Sequence, residues 1–248
     1  MTDDGTRESD TDMLPLDELT RSYRPIDLSH RIEERMPSYP THSRFFRTLW
    51  ESYWHGERAV AYQLLLNEHT GTHVDAPAHF MRDGHEQHRW IDEVDPTLLL
   101  GRGVVIHIAD GDVDDGLYGI DVLERFEREH GAVRRGDVVL FDTGWHRKWA
   151  LKPDSDAYLV GWPGPTEELA LALVERGISA AGSDNIGFDK HGTEGFPAHY
   201  ALLGNGILIM ENLAALSELP PSFQFLGMPL NIVGGSGSPI RAVAFVER

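Results

Sequence analysis

Residues 68–80 read Glu-His-Thr-Gly-Thr-His-Val-Asp-Ala-Pro-Ala-His-Phe, and the rest of the chain is organised around them. Four side chains able to bind a metal or move a proton, His69, His73, Asp75 and His79, fall within eleven positions. Imidazole and carboxylate together suit zinc, manganese or iron. The residues between them carry no charged group that would compete for a cation. On an extended strand His69, Gly71, His73 and Asp75 share one face. A straight strand nevertheless fails: at roughly 3.3 Å per residue it holds His69 and His73 about 13 Å apart, too far for two imidazoles that each reach one ion at about 2.1 Å. One helical turn would bring them together, but Thr70, Gly71, Thr72, Val74 and Pro77 all disfavour helix. The expectation is a strand end that kinks at Gly71, where no side chain obstructs the ligands.

Around this stretch the 248 residues suffice for one domain with a sizeable core. Hydrophobic residues at 41% and charged residues at 25% are those of a globular protein. There is no cysteine, which removes thiolate metal sites, disulfides and a cysteine nucleophile and leaves His, Asp and Glu to build any metal centre. A net charge of −18 argues against nucleic acid and anionic membranes as partners, and no apolar run has the length of a membrane span. The expected partner is a small-molecule substrate. With no signal-peptide pattern at its acidic N-terminus, the chain is expected in the cytoplasm. Residues 1–20 lack periodicity and read as a disordered or loosely attached tail, leaving residues 21–248 as the domain.

Along that domain, residues 27–30 read as a first strand and residues 59–67 as a strand feeding the central motif. His85 and His88 sit in a polar loop that suggests solvent. Residues 98–108 and 137–141 are apolar runs of buried-strand type, with His107 a core or strand-edge histidine. Residues 121–130 read as a helix, with capping-box spacing between Asp121 and Glu124, an apolar stripe and a stop at Gly131. A second helix spans 166–175, started by Pro165 and Thr166 and stopped by Gly177. A short strand at 178–182 leads to Asp184, which is either a turn residue or a support for a pocket. In the apolar strand 206–216, Glu211 is costly to bury unless paired with a core arginine or bound to a cation. Other chemistries fare poorly: Ser236 lacks the second Gly of G-x-S-x-G, Gly204-Asn205-Gly206 lacks the third Gly of a dinucleotide fingerprint, and no P-loop occurs. The pattern as a whole predicts a mixed α/β domain with several strands and a few surface helices.

His-Thr-Gly-Thr-His-Val-Asp-Ala-Pro-Ala-His resembles H-x-G-T-H-x-D-x-P-x-H, the signature of the metal-dependent cyclase family to which bacterial kynurenine formamidase and isatin hydrolase belong. The resemblance implies that His69, His73 and Asp75 bind metal and that His79 is the proton-transfer residue. It extends to Phe196-Pro197-Ala198-His199 followed by Glu211-Asn212-Leu213, implying a second half-site of His199 and Glu211 with Asp75 bridging two ions. Asp27-Leu28-Ser29 and the closing Gly234–Ala244 segment also match, as does a proline-bracketed aromatic, here Tyr39 between Pro37 and Pro40. Kynurenine formamidases typically carry a Trp there, lining the substrate pocket, so Tyr39 is a departure in the pocket beside a complete metal motif. The implied fold is a swivelling β/β/α domain, assembled as a homodimer or homotetramer. The implied activity is hydrolysis of an amide C–N bond, in an aryl formamide or a cyclic amide, with one or two Zn2+ or Mn2+ per chain. An ester or lactone hydrolase or a cyclase with the same site, and a catalytically silent metal-binding scaffold, are the competing readings.

Overall fold

The computed structural model describes residues 15–248. Most of the expected tail, residues 1–14, lies outside the described residues; its last part instead forms helix α1 (Pro15–Ser22), largely exposed from Asp17 on. The first strand, β1 (Tyr23–Asp27), comes earlier than the 27–30 expected, because Leu28 turns inward and Ser29 makes only an isolated bridge to Leu213. A hairpin follows, β2 (Phe46–Glu51) and β3 (Ala61–Leu65), and then β4 (His73–Asp75). Next come β5 (Leu100–His107), the two-residue strands β6 (Val113–Asp114) and β7 (Leu117–Tyr118), helix α2 (Ile120–His130) and β8 (Val138–Asp142). The chain closes with β9 (Gly164–Pro165), α3 (Glu167–Arg176), β10 (Ala180–Ser183), α4 (Pro197–Leu203), β11 (Leu208–Glu211), β12 (Ser222–Pro229) and β13 (Gly237–Glu247). Helix α2 begins on Gly119 with no side-chain cap, so the capping box expected from Asp121 and Glu124 does not form; Thr166 does cap α3 through the Leu169 amide.

Eight strands form one sheet in the order β1-β13-β12-β5-β8-β10-β11-β4, and β4 pairs back onto β13, closing the sheet on itself. β5, β8, β10 and β11 run parallel, while β4 runs antiparallel to β11. The apolar runs in the parallel strands have a simple cause. Val105, Val138, Leu140, Leu208 and Met210 fill the interior of the closed sheet, whereas Val104, Ile106, Val139, Phe141 and Ile209 lie outside it under α2, α3 and α4. Strands buried on both faces lose the alternation of polar and apolar residues. β12 and β13, exposed outside, keep it. The result is the mixed α/β domain expected, with its parallel strands ending together where α4 crosses.

Candidate active site

The site lies at the carboxyl ends of the parallel strands, where open α/β sheets place ligands. Gly71 takes φ +63°, a left-handed conformation that glycine adopts without a Cβ penalty. This kink turns the chain from His69 into β4 and brings the two imidazoles to a ring separation of 5.1 Å. On β4 Val74 points inside the closed sheet, so His73 and Asp75 point out. Strand register sets His73 directly opposite Glu211, and Asp75 opposite Ile209. Helix α4, started by Pro197, packs over that face and delivers His199. Each of the five expected ligands is more than nine-tenths buried.

The donor set fits a metal. His73 Nε2 stands 3.4 Å from Asp75 Oδ1 and 3.5 Å from Glu211 Oε2. His199 Nε2 stands 3.3 Å from Glu211 Oε1 and 3.7 Å from Asp75 Oδ2. Donors at about 2.1 Å from one tetrahedral ion are about 3.4 Å apart, so these separations match ligands gathered for a cation. Two overlapping groups result, His69–His73–Asp75 and Asp75–His199–Glu211, with Asp75 common to both. His69 Nδ1 donates to Asp75 Oδ1 at 2.7 Å, and a modest ring movement would open that bond to an ion.

Surrounding groups fix the ring orientations. His73 Nδ1 donates to the Gly71 carbonyl at 2.8 Å and His199 Nδ1 to Asp189 Oδ2 at 2.6 Å, which leaves both Nε2 atoms facing the carboxylates. Asp189 also accepts from the amides of Ala198 and His199, and the Phe188 amide donates to Glu211 Oε1. Such partners set the tautomer of a ligating imidazole. Burial by itself pushes His73 and His199 down, but their carboxylate partners outweigh it and raise both. Burial likewise pushes Asp75 up, and the neighbouring His79 and His69 hold it well below the ordinary range. The His79 ring lies 4.1 Å from the His69 ring, tilted by 33°, and burial lowers the His79 pKa to about 4.

The pocket above these groups is a cavity of about 160 Å³ walled by Tyr39, Phe80, Trp162 and Phe196. Tyr39 thus lines the pocket, edge-on to Trp162 at 6.3 Å. Several lining residues were not picked out in the sequence. Trp162 lies in a loop with no motif, and Asp189 is one of 40 acidic residues. His42 follows Tyr39 by one turn and leaves a buried, unpartnered Nδ1 in the same pocket, as Thr193 leaves its Oγ1. Ser236, set aside as a nucleophile, places Oγ 3.0 Å from His69 Nε2 and donates to Glu68 Oε1. His85, His88 and His107 stay out of the site: His88 pairs with Asp83, and His107 with Asp142. Asp184 supports another place, the loop at 143–146.

The family model described as "Putative cyclase" matches residues 26–190 of this chain. The chain belongs to that family. It is 30% identical over 218 residues to the kynurenine formamidase of Geobacillus thermodenitrificans, covering 88% of this chain and 95% of that one. It is 32% identical over 198 residues to the isatin hydrolase of Roseibium aggregatum, covering 75% and 74%. The solved structure of isatin hydrolase A from Labrenzia aggregata, bound to benzyl benzoate, superposes with a TM-score of 0.82 at 30% identity over 92% of this chain and 96% of that one. An isatin hydrolase bound to the product analogue thioisatinate gives a TM-score of 0.84 at 27% identity, covering 93% and 95%. By these relationships this cyclase-family chain is a hydrolytic enzyme. No helix among the described residues is long and apolar enough to cross a membrane.

Proposed function

We propose that the chain is a metal-dependent hydrolase of a small, neutral aromatic amide, an aryl formamide or a cyclic amide of isatin type. The observation that carries this reading is the pair of ligand groups sharing Asp75 at the floor of an aromatic-walled cavity. His69, His73 and Asp75 would hold one divalent ion, Zn2+ or Mn2+; His199, Glu211 and the shared Asp75 would hold a second. When bound, such an ion lowers the pKa of water towards 7 and polarises the substrate carbonyl.

The chain's own residues do the rest. His79, kept neutral by burial, has a ring nitrogen free to take the proton of the attacking water and pass it to the leaving nitrogen. Asp189 fixes the His199 ring, and the Gly71 carbonyl fixes His73. Tyr39, Trp162 and Phe80 exclude water and hold the ring of the substrate. A cavity near 160 Å³ suits one or two rings, since an apolar cavity of about 150 Å³ takes benzene. Among the described residues, the one lysine or arginine lining it, Lys190, is bonded to Asp115 and is not free to attract an anionic substrate.

The test is turnover of a panel by metal-reconstituted protein: N-formylkynurenine, isatin, simple aryl lactones and ordinary peptides. Cleavage of the amide members supports the reading. Turnover of the lactones alone moves the assignment to an ester, and cleavage of peptides alone overturns it.

A further inference from the structure

The two ligand groups meet where β11 pairs with β4, His73 of the first group opposite Glu211 of the second. Asn212 follows Glu211 and is buried. Its backbone takes φ +56°, a left-handed conformation that Asn tolerates better than most residues with a Cβ. The Asn212 side chain reaches the kink of the central motif, where Nδ2 donates to the Gly71 carbonyl at 3.0 Å. That carbonyl also accepts from His73 Nδ1 at 2.8 Å, so both its lone pairs are used. The side-chain amide can face only this way. Turned over, it would set its oxygen against the Gly71 oxygen and take Oδ1 away from the Tyr158 hydroxyl, which donates to it at 2.8 Å. Burial, with Asp184 and Glu211 nearby, pushes the Tyr158 hydroxyl well up, so it stays a donor. The Asn212 backbone is fixed too: its amide donates to the Asn185 carbonyl at 2.8 Å, and its carbonyl accepts from the Thr72 hydroxyl at 2.5 Å.

We propose that Asn212, held by Tyr158, is a positioning residue that sets the two half-sites against each other. Its backbone is joined to Glu211, and its side chain holds the carbonyl that aims the His73 ring. Without that amide the Gly71–Thr72 peptide can turn, and His73 Nε2 loses its alignment on Asp75 and Glu211, which it faces at 3.4 and 3.5 Å. The choice of residue follows from what must be satisfied. Gly fits the left-handed backbone but holds nothing. Asp tolerates the same φ, yet when ionised it has no donor for the Gly71 carbonyl. Asn supplies the donor for Gly71 and the acceptor for Tyr158 from one planar group. This role rests on the metal-dependent reading of the site.

Titration of the chelator-stripped chain with Zn2+ and with Co2+ tests it. Asn212→Gly keeps the left-handed backbone without strain and removes the side-chain amide. The variant should keep the native circular dichroism spectrum and bind metal about tenfold more weakly. It should also shift the visible spectrum of bound Co2+, which reports ligand geometry and which a loss of fold stability alone would not move. A folded variant with native metal affinity and the native Co2+ spectrum overturns the proposal. Should Asn212→Gly unfold, Tyr158→Phe decides, because it deletes one hydroxyl and leaves the ring. Weaker metal binding by that variant supports the proposal, and native affinity overturns it. A native chain that binds no metal ends the metal-dependent reading and the proposal with it. A native chain that binds metal no better than its folded variants ends the proposal alone.

Discussion

Two clusters of His and Asp sit near the ends of the parallel strands, and they are built oppositely. The first holds His69, His73, Asp75, His199 and Glu211. The second holds Asp142, His146 and Asp184, whose donor atoms are also close enough together to take an ion. In the second, each carboxylate oxygen already has a donor. Asp184 Oδ1 accepts from the Thr143 amide at 3.0 Å and its hydroxyl at 2.7 Å, while Oδ2 accepts from the His146 amide at 3.0 Å and Nδ1 at 2.9 Å. Asp142 accepts from His107 and the Gly144 amide. In the first, Asp75 Oδ2 and Glu211 Oε2 face imidazole nitrogens at 3.7 and 3.5 Å, at or past the limit of a hydrogen bond. Residue type does not separate the proposed metal centre from the cluster read as a structural brace; unspent hydrogen-bonding capacity does.

The largest expected effect breaks the comparison at its first member. His73→Ala or Asp75→Ala should lose bound metal and fall to background turnover, read by elemental analysis alongside kcat. His79→Ala should keep its metal and lose about 10²–10⁴-fold in kcat, the usual worth of general acid–base catalysis. If it loses metal as fully as His73→Ala does, His79 is a ligand and the base lies elsewhere, with Glu211 next in line. Asp189→Asn weakens the hold on the His199 ring and on the amides of Ala198 and His199, so metal affinity or activity should drop about 10–100-fold; a silent variant would mean that His199 needs no orienting partner.

How far the two clusters could be told apart in the sequence depends on how local each is. His69, His73, Asp75 and His79 are legible because one kink at Gly71 gathers them from a single stretch. Glu211 is legible as a carboxylate in an apolar strand, although its span there shortens to four residues, and the resemblance supplied His199. Asp189, Trp162, His42 and Ser236 are not legible, since each enters the site from a separate loop or strand end. The sequence leaves Asp184 open between a turn and a pocket support; the structure gives it the 143–146 loop because four donors converge there from that loop. The hairpin's strand at 59–67 was expected to feed the motif and does, but nothing in its pattern revealed that it stands off the sheet.

The smallest expected effect belongs to the second cluster. The hydrogen bond to Asp184 raises His146 above the 6.5 of an unpaired histidine. Its stabilisation is therefore complete below pH 6.5 in the unfolded reference and fades as pH rises through the raised folded value. His146→Ala should cost roughly 1 kcal/mol in acid, and its Tm deficit should shrink as pH is raised past neutrality, with metal content untouched throughout. A deficit that grows with pH would contradict the assigned protonation.

The most direct test strips the native protein with chelator and follows amide turnover as Mn2+ or Zn2+ is added back. Turnover should be absent without metal, rise to saturation at one or two ions per chain, follow the same titration in His146→Ala, and stay absent in Asp75→Ala. Full turnover by the stripped protein, or a titration that fails in His146→Ala while surviving in Asp75→Ala, would contradict this.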